Sequence, residues 1–129
     1  MHSTMMDDSL NLNQILRRAE TLHSDVSITS RKPSGELHEY RYGDMAKRAR
    51  QLSRALIAAG IKPGDRVATL MWNHYAHLEA YFGIPAAGGV LHTLNLRLHA
   101  DDIGWIAKHA EDRFLIVDNV LLPLLNDFK

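Results

Sequence analysis

The chain has 129 residues, and its 15 basic and 15 acidic side chains give a formal net charge of zero, which leaves no global field to draw it to nucleic acid or an anionic membrane. A hydrophobic content of 46% with 23% charged residues excludes a disordered or fibrous chain, and a chain this long buries roughly two-thirds of its unfolded surface. The absence of cysteine excludes disulfides, thiolate metal sites and a cysteine nucleophile, and makes the cytoplasm the expected compartment.

Residues 1–10 read as an arm. Asp7 and Asp8 interrupt it and no apolar core of the length an export signal needs is present, while Met5 and Met6 require a docking surface that a short tail lacks. No run approaches the ~18 uninterrupted apolar residues of a membrane span. Residues 11–129 read as one domain. Leu12, Ile15, Leu16, Ala19 and Leu22 recur at three- and four-residue spacing, which predicts a helix opened by Asn11 or Asn13 with that stripe inward. Val26 to Thr29 and Leu37 to Tyr42 bracket Lys32-Pro33-Ser34-Gly35, the composition of a hairpin. A long helix then runs to about Ala59, with Met45, Ala46, Ala49, Leu52, Ser53 and Leu56 inward and Gly60 as its stop.

Lys62-Pro63-Gly64-Asp65 supplies a turn. It leads into Val67, Ala68, Leu70 and Met71, an apolar run of the kind a strand buried on both faces shows. A helical segment and the Gly88-Gly89 pair separate it from a second strand candidate, Val90 to Leu94; two strands joined through a helix run parallel. Leu98 to Asp102 opens a helix carrying Ile103, Ile106 and Ala107, with Asp101 and Asp102 where negative charge suits the helix N-terminus. Phe114 to Val117 make a third strand candidate. Asn119 to Lys129 closes the chain as a short helix carrying Val120, Leu121, Leu122, Leu124, Leu125 and Phe128, with Pro123 in its first turn. The alternation from Gly60 to Asp118 predicts an α/β fold with a mostly parallel sheet flanked by helices, plus the β-hairpin.

Candidate chemistry is sparse. His74 and His77 stand three apart with Glu79 close by, a spacing that converges on a metal when helical, yet it matches no recognised zinc pattern and no metal is expected. The glycines of Gly83 to Gly89 follow a helix, whereas a phosphate loop follows a strand and opens a helix; close packing explains them better. Lys47, Arg48, Arg50 and Arg54 suit a solvated helix face more than a nucleic-acid surface, since no aromatics interleave them. Trp72, Tyr75, Tyr81 and Phe82 either line a pocket for an apolar ligand or pack in the core. No Gly-x-Ser-x-Gly elbow is present. Ligands of open α/β sheets gather beyond the carboxyl ends of the strands, which here means Trp72 to His74 and Leu94 to Arg97. On the bland reading, Asn73 caps the following helix and Arg97 pairs with Asp101 or Asp102.

Tyr42 to Ala59 followed by GIKPGDRVATLMWN resembles the start of the adenylate-forming, AMP-binding enzymes, the superfamily of acyl-CoA synthetases. NHYAHLEAYFGIPAAGGVLHTLNLRL is similar to the medium- and long-chain fatty-acid-CoA ligases, and STMMDDSLNLNQILRRAE and HAEDRFLIVDNVLLPLL extend the likeness over nearly the whole chain. The resemblance implies the N-terminal part of an AMP-binding large domain, truncated at Lys129. It implies a parent enzyme that joins fatty acid to coenzyme A through an acyl-adenylate, using ATP and Mg²⁺. The family's phosphate loop, adenine- and ribose-binding motifs and catalytic lysine lie downstream of the matched portion, so this chain alone is expected to bind no cofactor and to be inactive. Asn73, His74, His92, Asn95 and Arg97 are its candidates for lining or buttressing the substrate or coenzyme channel. Met5, Met6, Asp7 and Asp8 are candidates for a dimer arm, because the branch is commonly dimeric and a homo-oligomer would cover the apolar surface and strand edge left open. A free-standing acyl- or CoA-binding or regulatory module and a nucleic-acid-binding domain are the alternatives.

Overall fold

The structure, a computed structural model, describes residues 10–127. Met5, Met6, Asp7 and Asp8 of the expected arm, and Phe128 of the closing segment, lie outside the described residues. In chain order the elements are α1 (Leu12–His23), β1 (Ser27–Arg31), β2 (Leu37–Arg41), α2 (Tyr42–Ala58), β3 (Arg66–Leu70), α3 (Tyr75–Ala86), β4 (Val90–Thr93), α4 (Ala100–His109), β5 (Phe114–Val117), a 3-10 turn (Asn119–Leu121) and α5 (Leu122–Asp127). β1 and β2 form the antiparallel hairpin, with Ser27 opposite Arg41. β3 lies between β4 and β5 and runs parallel to both. The fold is α/β, a small parallel sheet flanked by helices plus a hairpin.

β3 is central because both its faces are covered. Successive side chains of a strand point to opposite sides. Val67 joins Leu56 of α2 and Ala80 and Ile84 of α3 in one cluster. Ala68 and Leu70 join Leu94 and Ile103 in another, on which Leu121, Leu124 and Leu125 also pack. A third cluster, Leu16, Tyr40, Met45, Ala46 and Ala49, binds α1, the hairpin and α2, with Tyr75, Leu78 and Phe82 of α3 against it. α3 therefore meets protein on more than one side, and it carries little polar surface for the same reason.

Glycines set the approach of α3 to its neighbours. A Cβ at Gly83 would stand 2.8 Å from the backbone oxygen of Ala49, so only glycine lets α2 and α3 pack this closely. The end of α2 is a Schellman motif: Ile61 N donates to Leu56 O (3.1 Å) and Gly60 N to Ile57 O (3.0 Å), with Gly60 at φ +84°.

Two expectations need correction. Of the stripe Leu12, Ile15, Leu16, Ala19 and Leu22, only Leu16 is buried; Ile15 and Leu22 are 55% and 58% exposed. α1 rests against the layer chiefly through Leu16, with Ala19 half-buried beside it, while Ile15 and Leu22 stay largely exposed. The closing segment divides into a 3-10 turn and α5, and its Val120 and Leu122 face outward while Leu121, Leu124 and Leu125 pack. No helix among the described residues is long and apolar enough to cross a membrane.

Candidate functional site

At the carboxyl end of β3 the chain leaves the sheet as Met71, Trp72, Asn73 and His74 before α3 begins. The end of β5 lies alongside, because Leu70 and Val117 are paired in register and Asp118 N donates to Leu70 O (3.1 Å). Asp118 is thereby delivered to the turn. Its carboxylate accepts from Trp72 N (2.8 Å) and from His74 Nε2 (2.9 Å to each oxygen), and both side chains are nearly buried.

His74 is also the N-cap of α3, its Nδ1 accepting from Ala76 N (3.2 Å). Sequence reasoning assigned the cap to Asn73; the structure gives it to His74, since an imidazole acceptor satisfies an otherwise free helix amide as a carboxamide would. With Nδ1 accepting, the proton sits on Nε2 and points at Asp118. Tyr75 N donates to Ser30 Oγ (2.8 Å), so the hairpin is pinned to the same corner.

The brace borders an open cleft of about 570 Å³, within the range of small-molecule sites. Met71, Trp72 and Asn73 form one wall, Thr93, Leu94, Leu96 and Arg97 the second, and Arg31, Lys32 and Pro33 of the hairpin the third. His77 and Tyr81 of α3 close the back. His77 is buried, with Nε2 3.0 Å from Thr69 Oγ1. Burial pushes its pKa down, and nearby His74 adds to the effect; Asp118 and the Trp72 carbonyl oppose it. Among the described residues no partner meets hydrogen-bond geometry at His77 Nδ1, and the Trp72 carbonyl acts on the ring only as a neighbouring dipole.

Of the sequence candidates, Asn73 and Arg97 line this cleft. His74 borders a smaller neighbour of about 350 Å³. Asn95 shapes the turn after β4 by accepting from Arg97 N (3.1 Å). His92 is turned away: it pairs in register with Ala68, on the opposite sheet face from Thr69, and its Nδ1 lies 2.8 Å from Asp112. No ion pair joins Arg97 to Asp101 or Asp102; Asp101 faces His99 at 3.5 Å. Trp72 and Tyr81 are half-exposed in the cleft, whereas Tyr75 and Phe82 pack on the core.

The other charged motifs are structural. Arg48 meets Glu79 at 2.6 Å, a carboxylate with only 7% side-chain exposure, and Arg50 forms a two-pronged pair with Glu20 that holds the Glu20 carboxyl below its ordinary pKa. The basic face of α2 is thus partly spent inside the protein. His74, His77 and Glu79 are directed to Asp118, Thr69 and Arg48 respectively, and no group of three metal-ligating side chains is gathered among the described residues. Arg31, Lys32 and Asp118 escaped sequence reasoning, because each reaches the site from a distant element.

Comparison with known proteins locates the fold. The sequence pattern of the AMP-binding enzyme family matches residues 16–128. The long-chain-fatty-acid–CoA ligase of Thermus thermophilus is 50% identical over 123 residues, which are 95% of this chain and 23% of that protein. The 3-methylmercaptopropionyl-CoA ligase of Ruegeria pomeroyi is 39% identical over 129 residues, 100% of this chain and 24% of that protein. The solved fatty acyl CoA synthetase of Mycobacterium tuberculosis superposes with a TM-score of 0.77 at 26% identity, over 91% of this chain and 23% of that one. The chain spans about a quarter of the length of these curated relatives.

Proposed function

The chain belongs to the AMP-binding enzyme family, and on that premise we propose that it forms the N-terminal portion of the large domain of an ATP-dependent fatty-acid-CoA ligase. The observation that carries the reading is the 50% identity over 123 residues to the Thermus thermophilus long-chain-fatty-acid–CoA ligase. In the proposed reaction the fatty acid carboxylate attacks the α-phosphate of ATP and releases pyrophosphate. The thiol of coenzyme A then attacks the acyl carbon and AMP leaves. This chain supplies scaffold to that chemistry, and its Asn73 and Arg97 stand where the complete enzyme would present substrate or coenzyme.

The donor set does not fit a nucleotide phosphate site. Gly83 is filled against Ala49 and Leu52, and Gly89 against Ile61 and Ile84, so these glycines serve packing and cradle no phosphate. The ATP and Mg²⁺ contacts are assigned to residues beyond these 129, and the chain alone is inactive on this reading. Work in the cytoplasm accords with the lack of cysteine. Self-association through exposed apolar residues such as Val90 on the β4 edge and Trp105 on α4 accords with a homo-oligomer, and a compact monomer on sizing at high concentration would refute it.

A chimaera tests the main reading. These 129 residues replace the matching portion of the Thermus thermophilus ligase, and fatty-acid-dependent exchange of pyrophosphate into ATP is followed. Exchange by the chimaera and none by the chain alone is expected. A folded chimaera without exchange, or exchange by the chain alone, overturns the proposal.

A further inference from the structure

We draw no further inference here: the strongest candidate, the outward apolar stripe of α1 formed by Leu12, Ile15 and Leu22, carries nothing because nothing among the described residues shows what covers it.

Discussion

Asp118→Ala tests the corner of the fold on which the cleft depends. The Asp118 side chain is 12% exposed and that of His74 7%. The carboxylate accepts one backbone and one imidazole hydrogen bond at 2.8 and 2.9 Å. Each hydrogen bond to a charged group is worth about 1.5–3 kcal/mol. Trp72 is half-exposed and its amide finds water after the substitution, so its share falls to the low end. His74 Nε2–H has no such recourse, because Nδ1 is committed to Ala76 N and the ring cannot turn without uncapping α3. The expected loss is about 3 kcal/mol, or roughly 10 °C in melting temperature for a domain of this size. Asp118→Asn preserves the shape and one acceptor oxygen and is expected to cost about half as much. Urea unfolding followed by circular dichroism measures both. A loss under about 1 kcal/mol for Asp118→Ala refutes the brace, and a loss near zero for Asp118→Asn refutes the role of the second acceptor oxygen.

Gly83→Ala drives a Cβ to 2.8 Å from the Ala49 carbonyl oxygen and 3.0 Å from Leu52; backbone cannot yield as a side chain does, so a loss of about 1–3 kcal/mol is expected in the same unfolding assay. The pKa of His77 is lowered below its ordinary 6.5, first by burial, so the unfolded chain binds the proton more readily than the folded one. Stability from this group is complete above pH ~6.5 and falls as pH drops through that value toward the lower folded pKa. Glu20, also lowered by its bond to Arg50, loses stability in the same direction at more acid pH. His77→Gln is expected to flatten the slope of unfolding free energy between about pH 6.5 and 5, and an unchanged slope counts against burial of a neutral ring.

What could be read from the sequence follows from how far apart the interacting residues lie. β3 was legible because its apolar run, Val67 to Met71, is punctuated by a proline–glycine turn before and polar residues after, and a strand buried on both faces needs nothing more distant to be recognised. The parallel arrangement followed from the single helix between β3 and β4. α2 was legible in full, down to Gly60 as its stop. α1 has the same periodicity, but periodicity reports only that one face is apolar. Whether a layer lies against that face is settled by chain elsewhere, and here Ile15 and Leu22 met none.

The site was half-legible for a related reason. The strand-end rule led to Asn73 and Arg97, which do line the cleft, but it admits either direction of side chain, and the pleat sends His92 to the opposite face toward Asp112. Asp118 sits 44 residues from His74, beyond any local pattern, yet its arrival was implicit in the strand assignments. Once β3 and β5 are placed side by side and parallel, the first residue after each apolar run must be adjacent, so an acid following Val117 has to face the turn that follows Leu70. A histidine at the head of α3 in that turn then has one carboxylate within reach and one helix amide to satisfy. The two ring nitrogens meet those demands only as a neutral ring protonated at Nε2. The apparent metal spacing of His74 and His77 is the by-product: each imidazole is fixed by a different strand of the sheet, His74 by the residue after β5 and His77 by Thr69 of β3, and the three-residue interval between them records only the helix that joins the two anchors.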